Sequence, residues 1–482
     1  MGRVRSLTVL LGVLLVLSAP SPGQGHATPV PAAAVGFEEL AGQIGRADAW
    51  FAMAGAGSAP VVVSQVPDAL PSASALPQIT TSLTPTAYLP LVSRSEPLTM
   101  VERRAIWITR YDWTTLGIAP SPNDIDAMVS KVSGAGFNTI LFQVRAAGDA
   151  YYTPGLEPWA SRLSVGTVTD TLGLDPGWDP LARMLEAGHA AGIEVHAYVN
   201  VYTAWLSPPN ASYGALAPPA TIPPQMFDRF TYSSTHPDHP GEYGLGWAWR
   251  HHDSDQAAML LGWSSYLWAS PGVDWVNDYV VDVVEDIVQR YAVDGVHLDL
   301  VRYAGPAYSY EPYSNAAAGS EPSPARDQWQ RDRVTALVAQ VRDVTHAWRP
   351  GALVSAAVWP YYVDKWGWGL SEGYSDYFQD SKGWLASGAV DAIAPMLYGG
   401  ESDYALRWFV LMADFVTDSG GRPVYPGIGG SYANFEDIAW RIETARAQGA
   451  QGHVIFSYGG LDSKEYWDDL AGGPYSVPAS VP

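Results

Sequence analysis

The tightest constraint on this chain is an eightfold alternation, from about residue 102 to about 472, of a short apolar run with a segment of helical character. The runs are 105–110 (AIWITR), 139–145 (TILFQVR), 194–200 (EVHAYVN), 295–303 (GVHLDLVRY), 353–359 (LVSAAVW), 391–398 (DAIAPMLY), 423–429 (PVYPGIG) and 452–458 (GHVIFSY). Helix starts are marked at Ser121-Pro122-Asn123-Asp124 and at Asp179-Pro180, where Pro and Asp suit a first turn. Longer helical segments are expected near 274–291 and 326–347. Strands that alternate with helices make a parallel sheet, and eight such units close into a barrel. The sequence therefore predicts an α/β fold, a (β/α)8 TIM barrel, with a long insertion (201–272) after the third strand. A doubly wound open sheet is the alternative, but no Gly-rich phosphate turn follows the first strand.

Barrel geometry makes the polar strand residues informative, because alternate side chains face opposite sides. Val195, Ala197 and Val199 suit packing against helices, which turns His196, Tyr198 and Asn200 inward. Val296, Leu298 and Leu300 face out by the same count, and His297 and Asp299 face in. Gln143 and Arg145 end the second strand on one face. Polar groups thus gather at the carboxyl ends of the strands, where barrel enzymes carry their chemistry.

Composition narrows that chemistry. With 482 residues and 47% hydrophobic content the chain has material for one large core. There is no cysteine, which removes disulfides, thiolate metal sites and thiol nucleophiles. The 27 Lys+Arg against 49 Asp+Glu give a net charge of −22, which argues against nucleic acid as a partner. An acidic enzyme or binding protein rich in aromatics remains, with 20 Trp and 27 Tyr.

The ends read differently from the middle. Arg3 and Arg5 precede an apolar run, Leu7 to Leu17, and a small-residue stretch, so residues 1–27 are expected to be a secretory signal peptide. The run is short for a membrane span, which needs about 20 apolar residues. Residues 28–100 are rich in Pro, Ala and Ser and read as a linker or tether. The barrel is assigned to 101–472, and 473–482 to a flexible tail. The expected destination is outside the cytoplasm, secreted or at the cell surface.

Five stretches in order, GFNTILFQVRAAGDAYY (136–152), LEPWASRL (156–163), GWDPLARMLEAGHAAGIEVHAYVN (177–200), YAVDGVHLDLVRY (291–303) and VDAIAPMLY (390–398), give the chain a specific resemblance. It resembles the glycosyl-hydrolase-like family 10 proteins, (β/α)8 barrels that include bacterial cell-wall glycan hydrolases. The resemblance spans roughly residues 102–460 and implies a glycan or polysaccharide partner, possible association with the cell wall or cell surface, and no cofactor.

Glycoside hydrolysis generally needs two carboxyl groups, one to protonate the leaving oxygen and one to attack or activate water. Asp299 is the first candidate, near the end of the fourth strand. Arg302 close by is expected to lower its pKa and keep it ionised, although a buried Asp–Arg pair bracing the strand gives the same pattern. For the acid partner, Glu401 follows the sixth strand on a Gly-Gly turn, and Asp380 in YFQDSKGW shares its rank, with helix capping as the alternative for Asp380. Asp364 lies in the loop after the fifth strand. Trp359, Tyr398 and Trp384 are expected to desolvate the acid. Asp149 and Glu157 match family positions and are expected to bind sugar hydroxyls or to brace their loop. Gln143, Arg145 and Asn200 are read as binding hydroxyls or a carboxylate, with His196, His297 and Arg302 in the same set. Trp107, Trp159, Trp205 and Tyr458 are candidate stacking platforms.

Two rival functions follow from the residues. One is a non-catalytic carbohydrate-binding barrel. The other is a metal-dependent deacylase using His236, Asp238, His239, His251, His252 and Asp253 of the insertion, a set that lacks helical i, i+4 spacing.

Overall fold

A computed structural model describes residues 100–206, 225–231, 247–260, 266–399 and 403–482. The expected signal (1–27) and nearly all of the tether (28–100) lie outside the described residues. Eight parallel strands form the sheet expected from the alternation: β1 (Arg103–Ile108), β2 (Thr139–Arg145), β3 (Glu194–Asn200), β4 (Gly295–Asp299), β5 (Leu353–Val358), β6 (Ala392–Pro395), β7 (Gly427–Gly429) and β8 (Gly452–Phe456). Their order is continuous from β7 through β8 and β1 to β6. Between β6 and β7 the ladder reduces to one parallel bridge, Ile393 to Val424. The run 423–429 contributes a strand only over its last three residues, because Pro423 and Pro426 have no N–H to give a ladder.

The alternation sorts the apolar side chains into two bodies. Ala105, Trp107, Leu141, Tyr198, Ala357, Ala394, Val454 and Phe456 fill the barrel. Ile106, Phe142, Val195, Val296, Val354, Ile393 and Ile455 face the surrounding helices. Gly295 on β4 is required by a close approach, since a Cβ there would stand 2.6 Å from Nδ1 of His196 on β3.

The helices begin where their caps fall. Asp124 accepts from the Ser121 N–H (2.7 Å) at the start of α1 (Pro122–Gly134), and Asp179 accepts from Ala182 N–H (3.0 Å) at α2 (Pro180–Ala190). Ser323 does the same for α4 (Pro324–Trp348), which packs beside α3 (Asp274–Arg290). Asp380 accepts from Gly383 N–H (3.0 Å) at α5 (Ser381–Ser387). The shell continues with α6 (Ala405–Thr417), α7 (Phe435–Ala447) and α8 (Tyr458–Lys464). Within the insertion, Thr203–Leu206 pairs antiparallel with Tyr266–Trp268, and Trp249 is enclosed by Phe227 and Phe230. Its aromatic residues join the core outside the barrel, Phe230 meeting Tyr279 of α3 (5.8 Å), and it carries Tyr266 and Trp268 to the mouth of the barrel.

The expected flexible tail is corrected. Residues 473–482 return to the amino end of the barrel, where Ala479–Ser480 pair with Met100–Val101. Tyr475 is 4% exposed, stands edge-on to Phe137 (5.1 Å), bonds His453 Nε2 (2.6 Å) and lies under Arg104 (4.5 Å). Tyr475 closes the bottom of the barrel against its first strand, which composition alone did not reveal. Tyr475→Ala is expected to cost roughly 3 kcal/mol in denaturant unfolding, whereas a free tail would show no change.

Candidate active site

Asp299 ends β4, and the chain then turns sharply. Leu300 takes a left-handed conformation (φ 51°), costly for a branched apolar side chain. The turn points the Leu300 N–H back at Oδ1 of Asp299 (2.6 Å), while the hydroxyl of Tyr198 on β3 donates to Oδ2 (2.6 Å). Both oxygens thus accept hydrogen bonds, and the carboxyl is 6% exposed. The predicted depression of its pKa by Arg302 is corrected. Burial dominates and raises it, against the lowering pull of Tyr198, Leu300 N–H and Arg302.

A cleft of about 370 Å³, including its open mouth, sits on this carboxyl. Asp299, Leu300, Arg302, Trp359, Met396, Tyr398 and Phe456 line it, so it lies over β4, β5, β6 and β8 at their carboxyl ends. Tyr398 and Phe456 stack at 4.6 Å with their planes 1° apart, and Trp107 meets both edge-on from below. Trp107 is therefore the floor's support, buried and turned to donate its indole N–H to Nε2 of His297 (2.9 Å). Since indole only donates, His297 carries its proton on Nδ1 and gives it to Ser355 Oγ (2.9 Å). Burial lowers the His297 pKa to about 3, so the ring is neutral.

Several expected ligand-binding residues stand elsewhere. The ladder between β2 and β3 slips between Gln143 and Arg145, two residues opposing one. That bulge throws Arg145 to the outer side, where its Nε and Nη2 bond the Glu157 carboxylate at 2.8–3.0 Å and the Tyr279 hydroxyl of α3 joins them (3.2 Å). Arg145 and Glu157 are both buried and brace the loop instead of reaching sugar. Asp149 accepts from Ala147 N–H (2.8 Å), a local turn contact. Gln143 and Asn200 bond one another (3.2 Å) and are wholly enclosed. His196 belongs to the amino end of the barrel, beside Glu194 (3.2 Å) and Arg103. Tyr458 packs on Trp467 (5.1 Å) at the start of α8, and Trp159 and Trp205 are core.

Of the acid candidates, Asp380 caps α5 and accepts from Tyr362 Oη (2.7 Å). Asp364 accepts from the N–H groups of Trp366 and Gly369 in its own loop. Trp384 is buried against α4, donating to Thr335. Glu401 lies outside the described residues, as do His236, Asp238 and His239. His251 is buried among Trp268, Tyr303 and Tyr308, with its pKa lowered to about 3 by burial. His252 bonds the Arg250 carbonyl through Nδ1 (2.9 Å). Among the described residues no three His, Asp or Glu groups come together to hold a metal ion.

The structure adds residues that sequence reading missed. Arg110, just past β1, is buried and bonded to Gln143 Oε1 (3.2 Å), Tyr111 Oη (2.6 Å) and Tyr266 Oη (2.7 Å). Gln379 accepts from Trp359 N–H (2.7 Å) and donates to Val301 O (3.2 Å), tying the cleft wall to the turn after Asp299. Trp268 and Tyr377 flank Arg302. Nothing in periodicity marks these positions; only the pairing of loops far apart in sequence does.

A carboxyl at the end of β4, an aromatic floor and an open cleft define a glycosidase-like (β/α)8 barrel. The model of the glycosyl hydrolase-like 10 family matches residues 102–408, and the chain belongs to that family. It is similar to glycosyl hydrolase YngK of Bacillus subtilis, 26% identical over 418 residues, 79% of this chain and 73% of that one. It is similar also to glycosyl hydrolase DigH of Escherichia coli K12, 27% identical over 357 residues, 67% and 72% of the two chains. Among solved structures, alpha-L-fucosidase isoenzyme 2 from Paenibacillus thiaminolyticus shares the fold with TM-score 0.50 and 16% identity, over 78% of this chain and 49% of that one. The glycoside hydrolase domain of PgaB (BpsB) from Bordetella bronchiseptica gives TM-score 0.48 and 14% identity, over 77% and 99%.

The reassignment of the Arg145–Glu157 pair is testable. Glu157→Ala leaves a buried guanidinium uncompensated and is expected to lower unfolding free energy by about 3–5 kcal/mol. Glycan affinity of the folded variant, measured by titration calorimetry, is expected to stay at the parent value.

Proposed function

We propose that the chain is an exported glycoside hydrolase that cleaves a bacterial cell-wall glycan or a related polysaccharide. The observation that carries this reading is Asp299, a buried carboxyl aimed by two hydrogen bonds into an aromatic-lined cleft at the carboxyl end of the barrel. The family and the hydrolase names of its relatives support it. Export rests on the leader pattern of residues 1–27 and the tether that follows.

In this reading Asp299 is the nucleophile or base. A proton on either oxygen would displace a bond from Tyr198 or Leu300 N–H, so the pattern suits the charged form. Sugar C–H faces stack on Tyr398 and Trp359. Glu401, on its Gly-Gly turn after β6, is the proposed proton donor to the leaving oxygen. The second reading, a carbohydrate-binding barrel without turnover, is favoured by one fact: among the described residues lining the cleft, Asp299 is the single carboxyl.

Three substitutions separate the readings. Asp299→Asn is expected to cut the release of reducing ends at least about 10³-fold with an unchanged circular dichroism spectrum; retained activity removes Asp299 from the mechanism. Activity is expected to be lost as pH falls through the raised Asp299 pKa. Tyr198→Phe removes a donor to the carboxylate, so the acid limb of the pH–rate profile moves to higher pH, and an unmoved limb contradicts the assignment. Glu401→Gln is expected to slow natural bonds by roughly 10²–10⁴-fold yet spare an aryl glycoside whose leaving group needs no proton. An equal loss on both substrates would argue against the donor role.

A further inference from the structure

Arg302 is the anomaly of the cleft. It lines the cavity beside Asp299 and is 6% exposed. Its guanidinium is clasped by rings, with Cζ 5.1 Å from Trp268, 5.1 Å from Trp359 and 4.6 Å from Tyr377. Among the described residues its one hydrogen bond runs from Nη1 to the carbonyl of Tyr303 (3.1 Å), and its buried Nε has no partner. No carboxylate forms an ion pair with it among the described residues.

Three other buried guanidinium groups are each paired with a carboxylate, and buried Arg110 is bonded instead to Gln143, Tyr111 and Tyr266. Arg145 is paired with Glu157 (2.8 Å), Arg103 with Glu194 (2.5 Å) and Arg104 with Glu102 (2.9 Å). Leaving a desolvated cation without an anion is unfavourable, and three aromatic faces recover only part of the loss. The planar guanidinium fork is the geometry that takes a carboxylate through two parallel N–H bonds. Among the described residues Arg302 is thus a buried cation lining the cleft with no carboxylate ion-paired to it.

We propose that Arg302 receives a carboxylate of the substrate, so that the cleft selects an acidic sugar, uronate or lactyl-bearing, over its neutral counterpart. This rests on the glycan reading above and names the substrate class for the same cleft. The chain's net charge of −22 does not oppose it. At physiological ionic strength charges screen within about 8 Å, so recognition is set inside the cleft.

The test changes the glycan before it changes the protein. Peptide-free peptidoglycan strands and a polyuronate are each compared with the same polymer after chemical reduction of its carboxyl groups to alcohols. The wild-type chain is expected to cleave at least one acidic polymer roughly 10- to 100-fold faster, in kcat/KM, than its reduced form. Arg302→Met is expected to erase that preference, and Arg302→Lys, which keeps the charge but not the fork, to restore part of it. Equal cleavage of acidic and reduced forms overturns the inference and leaves the hydrolase reading standing. If neither is cleaved, calorimetric titration decides. Binding to the acidic form alone, lost in Arg302→Met, sustains the inference and removes the hydrolase reading. Equal binding, or none, overturns the inference.

Discussion

Charge buried inside a closed barrel is the constraint on which this structure turns. A charged side chain deprived of water must find its counter-charge or hydrogen bonds within the protein, or shift toward neutrality. At the amino end, Arg103 meets Glu194, and Arg104 meets Glu102, which Arg446 also grips (2.8 Å). Glu102 is held down to about 2: burial opposes its charge, but Arg446, His453 and Arg104 outweigh that. Behind β2 the Arg145–Glu157 pair is closed on itself. These pairs hold the strands and the returning tail.

At the carboxyl end the same accounting is left open. Among the described residues Asp299 has two neutral donors and no bonded cation, and Arg302 has three aromatic faces and no bonded anion. They share one wall of one cleft, three residues apart across the strained turn at Leu300. Strain at Leu300 is the means by which a backbone N–H reaches the carboxylate. The insertion after β3 completes the arrangement by bringing Tyr266 to Arg110 and Trp268 to Arg302. The structure thus keeps stabilising charge paired, at the amino end and behind β2, apart from the charge that lines the cleft.

Much of this was legible in the sequence, and the failures have definite causes. Alternation in β3 and β4 told which side chains face inward, and the expected helix starts at Ser121 and Asp179 fell where the residues implied. Arg145 was misplaced because a period of two does not survive a bulge, and no residue there announces one. His196 was read as part of the site because alternation gives the face but not the height along the strand. Arg302 was expected to depress Asp299 through proximity in sequence, yet burial dominates and the rings hold its guanidinium away from a direct ion pair. Tyr475 and Ala479–Ser480 looked like a tail because two-residue pairing leaves no periodic trace. Gln379 and Arg110 could be found only once distant loops were seen together.

The central claim is that Asp299 drives addition of water across a glycosidic bond. It is tested most directly by digesting glycan strands in ¹⁸O-labelled water and weighing the rapidly quenched products. The account predicts one heavy oxygen at each new reducing end from the native chain, and no such product from Asp299→Asn. Unlabelled fragments, or undiminished labelled product from the variant, would contradict it.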